Sequence, residues 1–240
     1  MDFHYCSDYD EMSLQATDYL ISELKKKSGQ LLGVATGNSP LGVYRKLRSE
    51  INQHPKYFEK LRILKLDEWV GLKMSDPSSC ESYIQNNILE PLKIPSQRYT
   101  GFQSDPEDLK AECDRVQATI ERQGPIDLCI LGLGRNGHIG FIEPAESFMP
   151  HCQIAELSKI SREHAMVDTL KKKPTHGLTL GMGDVLASKK IILLVTGTGK
   201  ESVVQALLKG HISTRMPASF LWLHPNVQCY LDKSSFSATK

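Results

Sequence analysis

The chain predicts an α/β fold with a mostly parallel sheet and helices on both faces. Three observations carry this. Short, nearly continuous apolar runs recur along the whole length, as expected of strands buried on both faces. Segments with apolar residues at helical spacing alternate with them. Several runs end in loops rich in glycine and small polar residues, where an open α/β sheet holds its ligands.

Taken in order, Met12, Ala16, Leu20 and Leu24 mark a first helix, stopped by Lys25-Lys26-Lys27 and Gly29. The lysines read as a solvated helix end. Leu31 to Thr36 is a strand, and Thr36-Gly37-Asn38-Ser39-Pro40 opens a helix through Leu41, Tyr44 and Leu47. Leu61 to Leu66 is a second strand, followed at once by Asp67-Glu68-Trp69. Helices are expected over Cys80 to Leu89 and Asp105 to Arg122, the latter with Asp105 as cap and Pro106 at its first position. Ile126 to Leu131 is a buried strand broken only by Asp127. It leads into Gly132, Gly134, Gly137 and Gly140, glycines dense enough to imply a close backbone approach. Ser161 to Lys172 is expected to be a polar helix. Lys189 to Thr196 is the most strand-like run, followed by Gly197-Thr198-Gly199-Lys200 and a helix to Leu208. Asn226 to Leu231 is the last strand. No repeat, linker or composition break divides the chain, so a single domain over residues 1–240 is expected.

With 240 residues, 40% hydrophobic and 24% charged, the chain can bury a full core. A formal net charge of +1 gives no electrostatic reason to expect nucleic acid or an anionic membrane as partner. The six cysteines lack metal or C-x-x-C spacing and read as reduced. The polar, acidic start is no secretory signal, and no apolar run approaches the roughly 20 residues of a membrane span. A cytoplasmic location is expected.

Chemistry concentrates at the strand ends. Thr36 to Ser39 can cradle a phosphate through backbone amides and hydroxyls, or serve as an ordinary helix cap. Thr196 to Lys200 lacks the spacing of a nucleotide-binding loop, and its lysine either meets a phosphate or sits exposed in a plain turn. Asp67 suits a general base if burial raises its pKa; otherwise the acids of Asp67-Glu68 cap a loop. Trp69 reads as packing. His138, with Asn136 and Glu143 nearby, suits proton transfer near neutral pH. The other histidines read as surface or core residues, and no metal site is expected.

From about Leu31 to Asp232 the chain resembles the glucosamine-6-phosphate isomerase/deaminase family. The matching segments are L-G-V-A-T-G-N-S-P-L-G-V-Y, L-D-E-W-V-G-L, G-L-G-R-N-G-H-I-G-F-I-E-P, L-T-L-G-M-G-D-V-L and L-V-T-G-T-G-K. Together with P-A-S-F-L-W-L-H near the end, they look most similar to the galactosamine-6-phosphate branch. The resemblance implies a modified Rossmann-like fold and conversion of an amino-sugar phosphate to a ketose phosphate and ammonia, with no redox cofactor. It implies that His138 opens the sugar ring, Glu143 orients it, and Asp67 moves protons between neighbouring carbons. Thr36, Gly37, Asn38, Ser39 and Lys200 would hold the phosphate. Many glucosamine-type members carry aspartate where this chain has Asn136, so the His138–Glu143 pair is expected to carry the charge relay alone. Their phosphate-binding arginine falls near Val167 here, leaving Arg162 as the candidate substitute. The implied partner is a small sugar phosphate, and the chain would act as a monomer or homo-oligomer. Two other readings are a 6-phosphogluconolactonase and a sugar-phosphate sensor. The first typically shows D-E-R at Asp67-Glu68-Trp69 and T-A-S-L-F-P at Ile139 to Pro144. The second needs a DNA-binding element for which the residues before Leu31 offer no basic recognition helix.

Overall fold

The computed structural model describes residues 1–236. Its strands are β1 (Asp2–Cys6), β2 (Leu31–Val34), β3 (Arg62–Lys65), β4 (Asp67–Trp69), β5 (Tyr99–Thr100), β6 (Leu128–Gly132), β7 (Gln153–Glu156), β8 (His176–Thr179), β9 (Ile191–Val195) and β10 (Val227–Asp232). Its helices are α1 (Tyr9–Lys26), α2 (Asn38–Gln53), α3 (Cys80–Ile84), α4 (Leu109–Gln123), α5 (Lys159–Arg162), α6 (Met182–Leu186), α7 (Glu201–Leu208) and α8 (Lys233–Phe236).

Seven strands form a parallel sheet in the order β1-β10-β9-β6-β2-β3-β5. The two-residue period of a strand explains how one run fills two cores. In β9, Ile191, Leu193 and Val195 join the cluster that contains Val116 and Ile120 of α4 and Val204 and Leu207 of α7. Ile192 and Leu194 join Met12, Ala16 and Leu20 of α1 and Val43, Tyr44 and Leu47 of α2 on the other face. Each such aliphatic side chain contributes about 1.5–3 kcal/mol through burial. Asp127, the interruption in the β6 run, accepts the Leu31 amide at 2.8 Å and pairs with Lys189 at 2.7 Å, tying the starts of adjacent strands.

The chain departs from the sequence reading at four places. β1 lies within the acidic, polar start, where no strand is expected. It is an edge strand whose His4 stacks on Tyr230 at 4.4 Å, and its partner β10 lies at the far end of the chain, so no local pattern marks it. Asp67-Glu68-Trp69 is strand rather than loop: β4, β8 and β7 make a small antiparallel sheet in the order β4-β8-β7. Helix α4 starts at Leu109, capped by Asp108 through the amides of Lys110 and Ala111, not at Asp105. The expected helix Ser161 to Lys172 is only the single turn α5, followed by irregular turns. Ser158 caps it, and Val167 is drawn into a small core with Trp69, Cys80 and Phe141. Burial of Val167 on a non-helical path outweighs the weak helical preference of that polar segment.

The strand order reverses between β2 and β6. From β2 the chain builds outward through β3 to β5, and from β6 outward through β9 and β10. Such a switch point leaves a crevice at the carboxyl ends of the strands, because the loops leaving the two central strands run apart.

Candidate active site at the sheet switch point

A cavity of about 800 Å³ occupies that crevice. Its walls are the segments that leave four adjacent strands: Asp67 and Trp69 after β3, Thr36 to Ser39 after β2, Gly132 to Arg135 and His138 after β6, and Thr196 to Lys200 after β9. Residues of α5 and of the turn after it, including Ser161 and His164, close one side.

Asp67 begins β4 and is 4% exposed. Its Oδ1 is buried with no hydrogen-bond partner among the described residues. Burial, reinforced by the neighbouring Glu68 carboxylate, pushes its pKa up to about 7. Lys65 opposes that rise, but its ammonium is engaged elsewhere, 2.6 Å from Glu68 and 2.8 Å from Glu81. Glu68 also accepts the amides of Trp69, Cys80 and Glu81, which fixes β4 to the first turn of α3. The arrangement leaves Glu68 saturated with donors and Asp67 Oδ1 without one. Gly140 brings the other half of the site close: a Cβ there would lie 3.1 Å from Thr179 Oγ1 and 3.3 Å from Asp67 Oδ2.

His138 lines the same cavity. Its Nδ1 lies 2.7 Å from Asn136 Oδ1, and an amide oxygen only accepts, so Nδ1 carries the proton and Nε2 the free lone pair. The Asn136 amide donates to Glu143 Oε2 at 2.9 Å. Glu143 also accepts the Ser161 hydroxyl and, at 3.3 Å, the Ser158 amide. The direct His138–Glu143 separation is 3.7 Å. Asn136 thus links imidazole and carboxylate by hydrogen bonds, and Glu143 remains the charged partner of the ring. Burial, with Lys200 adding to it, lowers the His138 pKa against the pull of Glu143, which favours the neutral ring. The Gly134 backbone passes flat against the ring, where any Cβ would overlap it.

The other end of the cavity is cationic. Gly37 caps α2 without a side-chain bond, Ser39 lies in the first turn of the helix, and Thr36 to Ser39 line the cavity. Gly197 and Gly199 shape the opposite loop, both at positive φ, and present Lys200 at the start of α7. Arg135 crosses that loop, its Nε 3.8 Å from where a Gly199 Cβ would be. Burial, then Arg135, lowers the Lys200 pKa to about 8, with Asp232 opposing. Arg45 lines the rim as well.

The structure therefore brings Thr36, Gly37, Asn38, Ser39, Asp67, His138 and Lys200 to one cavity, with Asn136 and Glu143 directly behind the histidine. Arg162 does not join them: it is exposed on α5 and forms no part of the wall. Arg135 and His164 are there instead. Arg135 was within reach of sequence reasoning, being part of the glycine-rich loop. His164 carried no local signal, because only the break after α5 turns it inward. Trp69 packs on Phe141, ring centroids 4.4 Å apart, and also lines the cavity.

The family model for glucosamine-6-phosphate isomerases/6-phosphogluconolactonase matches residues 7–229. The chain belongs to this family. A protein of Escherichia coli (strain K12) named "Putative deaminase AgaI" is 40% identical over 93% of this chain and 89% of its own length. Glucosamine-6-phosphate deaminase 1 of Bacillus subtilis (strain 168) is 34% identical, covering 97% of both chains. The solved structure of a monomeric glucosamine-6-phosphate deaminase superposes with a TM-score of 0.92, at 33% identity and 98% coverage of each chain. The 6-phosphogluconolactonase of Thermotoga maritima shares the fold at a TM-score of 0.77 and 19% identity. Among its family's chemistries, this chain is an enzyme of the isomerase/deaminase class.

Proposed function

We propose that this protein converts an amino-sugar 6-phosphate and water to a ketose 6-phosphate and ammonia, with galactosamine-6-phosphate preferred over glucosamine-6-phosphate. The observation that carries the reading is the pairing of a buried carboxylate with an unpartnered Oδ1, Asp67, and an imidazole whose neutral form is favoured, His138, across one cavity whose far end is cationic.

The chemistry follows from those groups. His138 Nε2 accepts the proton of the anomeric hydroxyl and delivers it to the ring oxygen, which breaks the bond from the anomeric carbon to that oxygen. Asn136 keeps the proton of Nδ1 in place, and Glu143 stabilises the transient imidazolium through it. Asp67, ionised in about half of the molecules near pH 7, removes the proton from the carbon bearing nitrogen. As the aldehyde oxygen gains a proton and the amine loses one, returning the carbon-bound proton to the neighbouring carbon gives a ketimine, which water hydrolyses to the ketone and ammonia. Because Asp67 is buried and no donor competes for its Oδ1, the carboxylate can carry the proton between carbons without leaking it to solvent. The phosphate is held by the Thr36–Ser39 and Thr196–Lys200 loops with Arg135, which fixes the reacting carbons between Asp67 and His138.

The epimer preference rests on the segments L-D-E-W-V and P-A-S-F-L-W-L-H. Ammonia release should be measured with both amino-sugar phosphates, alongside hydrolysis of the 6-phosphogluconolactone. Faster release from the galacto epimer supports the full reading. Equal or reversed rates remove the preference alone, and hydrolysis of the lactone with no ammonia removes the deaminase.

A further inference from the structure

His164 has no part in the proton transfers above. The chain turns sharply after α5: the His164 amide donates to the Ser161 carbonyl at 3.1 Å, and its own carbonyl accepts from Val167 at 2.9 Å. This turn aims the ring into the cavity. The Met166 amide donates to its Nδ1 at 3.3 Å, so Nδ1 is the bare nitrogen and the proton resides on Nε2. The Cε1–Nε2 edge faces Gly37, where a Cβ would stand 3.6 Å from both atoms. Gly37, at φ +96°, is the cap of the sixteen-residue helix α2. Trp69 backs the ring at 6.1 Å.

Among the described residues no acceptor reaches Nε2. The groups whose charge acts on the ring are His138, Lys200 and Arg135, all cationic when charged, and with burial as the larger cause they lower its pKa. A fixed N–H donor without an acceptor, set between the start of a helix and two cations, is completed by an oxyanion.

We propose that His164 is a binding residue for the substrate phosphate, donating its Nε2–H to a phosphoryl oxygen held at the Thr36–Ser39 loop. It serves there as a neutral donor, since protonating Nδ1 would cost the Met166 bond. The assignment rests on the reading of the cationic end as the phosphate site, and it explains how the cavity dispenses with Arg162.

The test is titration calorimetry of the full chain with inorganic phosphate, followed by steady-state kinetics with galactosamine-6-phosphate. His164→Phe keeps a ring against Trp69 but removes the donor; it should weaken phosphate binding by about 10- to 100-fold and raise KM by a similar factor, with kcat within about threefold. His164→Gln, which restores an N–H, should recover much of the loss. Lys200→Gln serves as the control for the anion site. Phosphate binding unchanged in His164→Phe but lost in Lys200→Gln overturns the proposal, as does a fall in kcat with KM unchanged. Should the variants fail to fold, the unmodified protein decides: added phosphate should shift the His164 Nε2 resonance in ¹⁵N NMR, and an unmoved resonance at saturation overturns the assignment. Phosphate binding requires no turnover. A protein that binds phosphate through His164 yet releases no ammonia would therefore sink the functional reading and leave this one standing.

Discussion

Asp67 shows how one residue couples stability to chemistry. Its folded pKa of about 7 lies above the ordinary value of 3.8, so the folded state holds a proton the unfolded chain releases. Its own contribution to stability is therefore full below 3.8, falls as pH rises through the window from 3.8 to about 7, and stays lost above it. The difference is on the order of 4 kcal/mol. Asp67→Asn removes the ionisation, so thermal unfolding should show a Tm above wild type at pH 8 and no comparable gain at pH 4. The same variant should lose about 10²- to 10⁴-fold in kcat. An equally active Asp67→Asn enzyme would remove Asp67 as the base. A second expectation concerns pH. The free enzyme needs Asp67 ionised and Lys200 protonated, so kcat/KM should rise through about 7 and fall through about 8. In Lys200→Gln the alkaline limb should vanish while the acidic limb stays; an unchanged profile would separate Lys200 from substrate binding. Asn136→Ala frees the His138 tautomer, and kcat should fall about 10- to 100-fold with KM little changed.

At the scale of elements, the join between β4 and α3 stands out. Lys65, Glu68 and Glu81 form a buried charged group, completed by the Tyr99 hydroxyl 2.5 Å from Glu81. Removing one member leaves the others uncompensated, which costs about 3–5 kcal/mol. Denaturant unfolding of Glu68→Ala should show a loss of that size, whereas a loss below 1 kcal/mol would mean that the α3 amides and Lys65 find other partners. This network is invisible in sequence. Asp67-Glu68 reads as two equivalent acids, and only the opposite directions of successive strand side chains send one to the cavity and the other to Lys65. The short β4 and β7 were equally hidden, since three or four residues establish no period and their partner β8 lies elsewhere in the chain. The long buried runs β6 and β9 were legible because both faces of a central strand demand apolar residues.

Across the whole molecule, protection should follow the sheet order. Amides of β6 and β9 at the centre should exchange most slowly, and those of the edge strand β1 faster by orders of magnitude. Hydrogen exchange read by mass spectrometry tests this; uniform protection would mean that β1 is locked by something other than its pairing with β10. By itself the sequence determined the layered α/β architecture, since burial on two faces must be written into each central strand. It determined the chemical inventory too, because the carboxylate, imidazole and glycine loops stand at strand ends in plain order. The tertiary structure alone decided which groups meet. The reversal of strand order between β2 and β6 gathers four loops at one rim, Asn136 comes between His138 and Glu143, and His164 replaces Arg162 at the wall. These are contacts between residues distant along the chain, fixed by how the layers pack, and no local pattern of side chains encodes them.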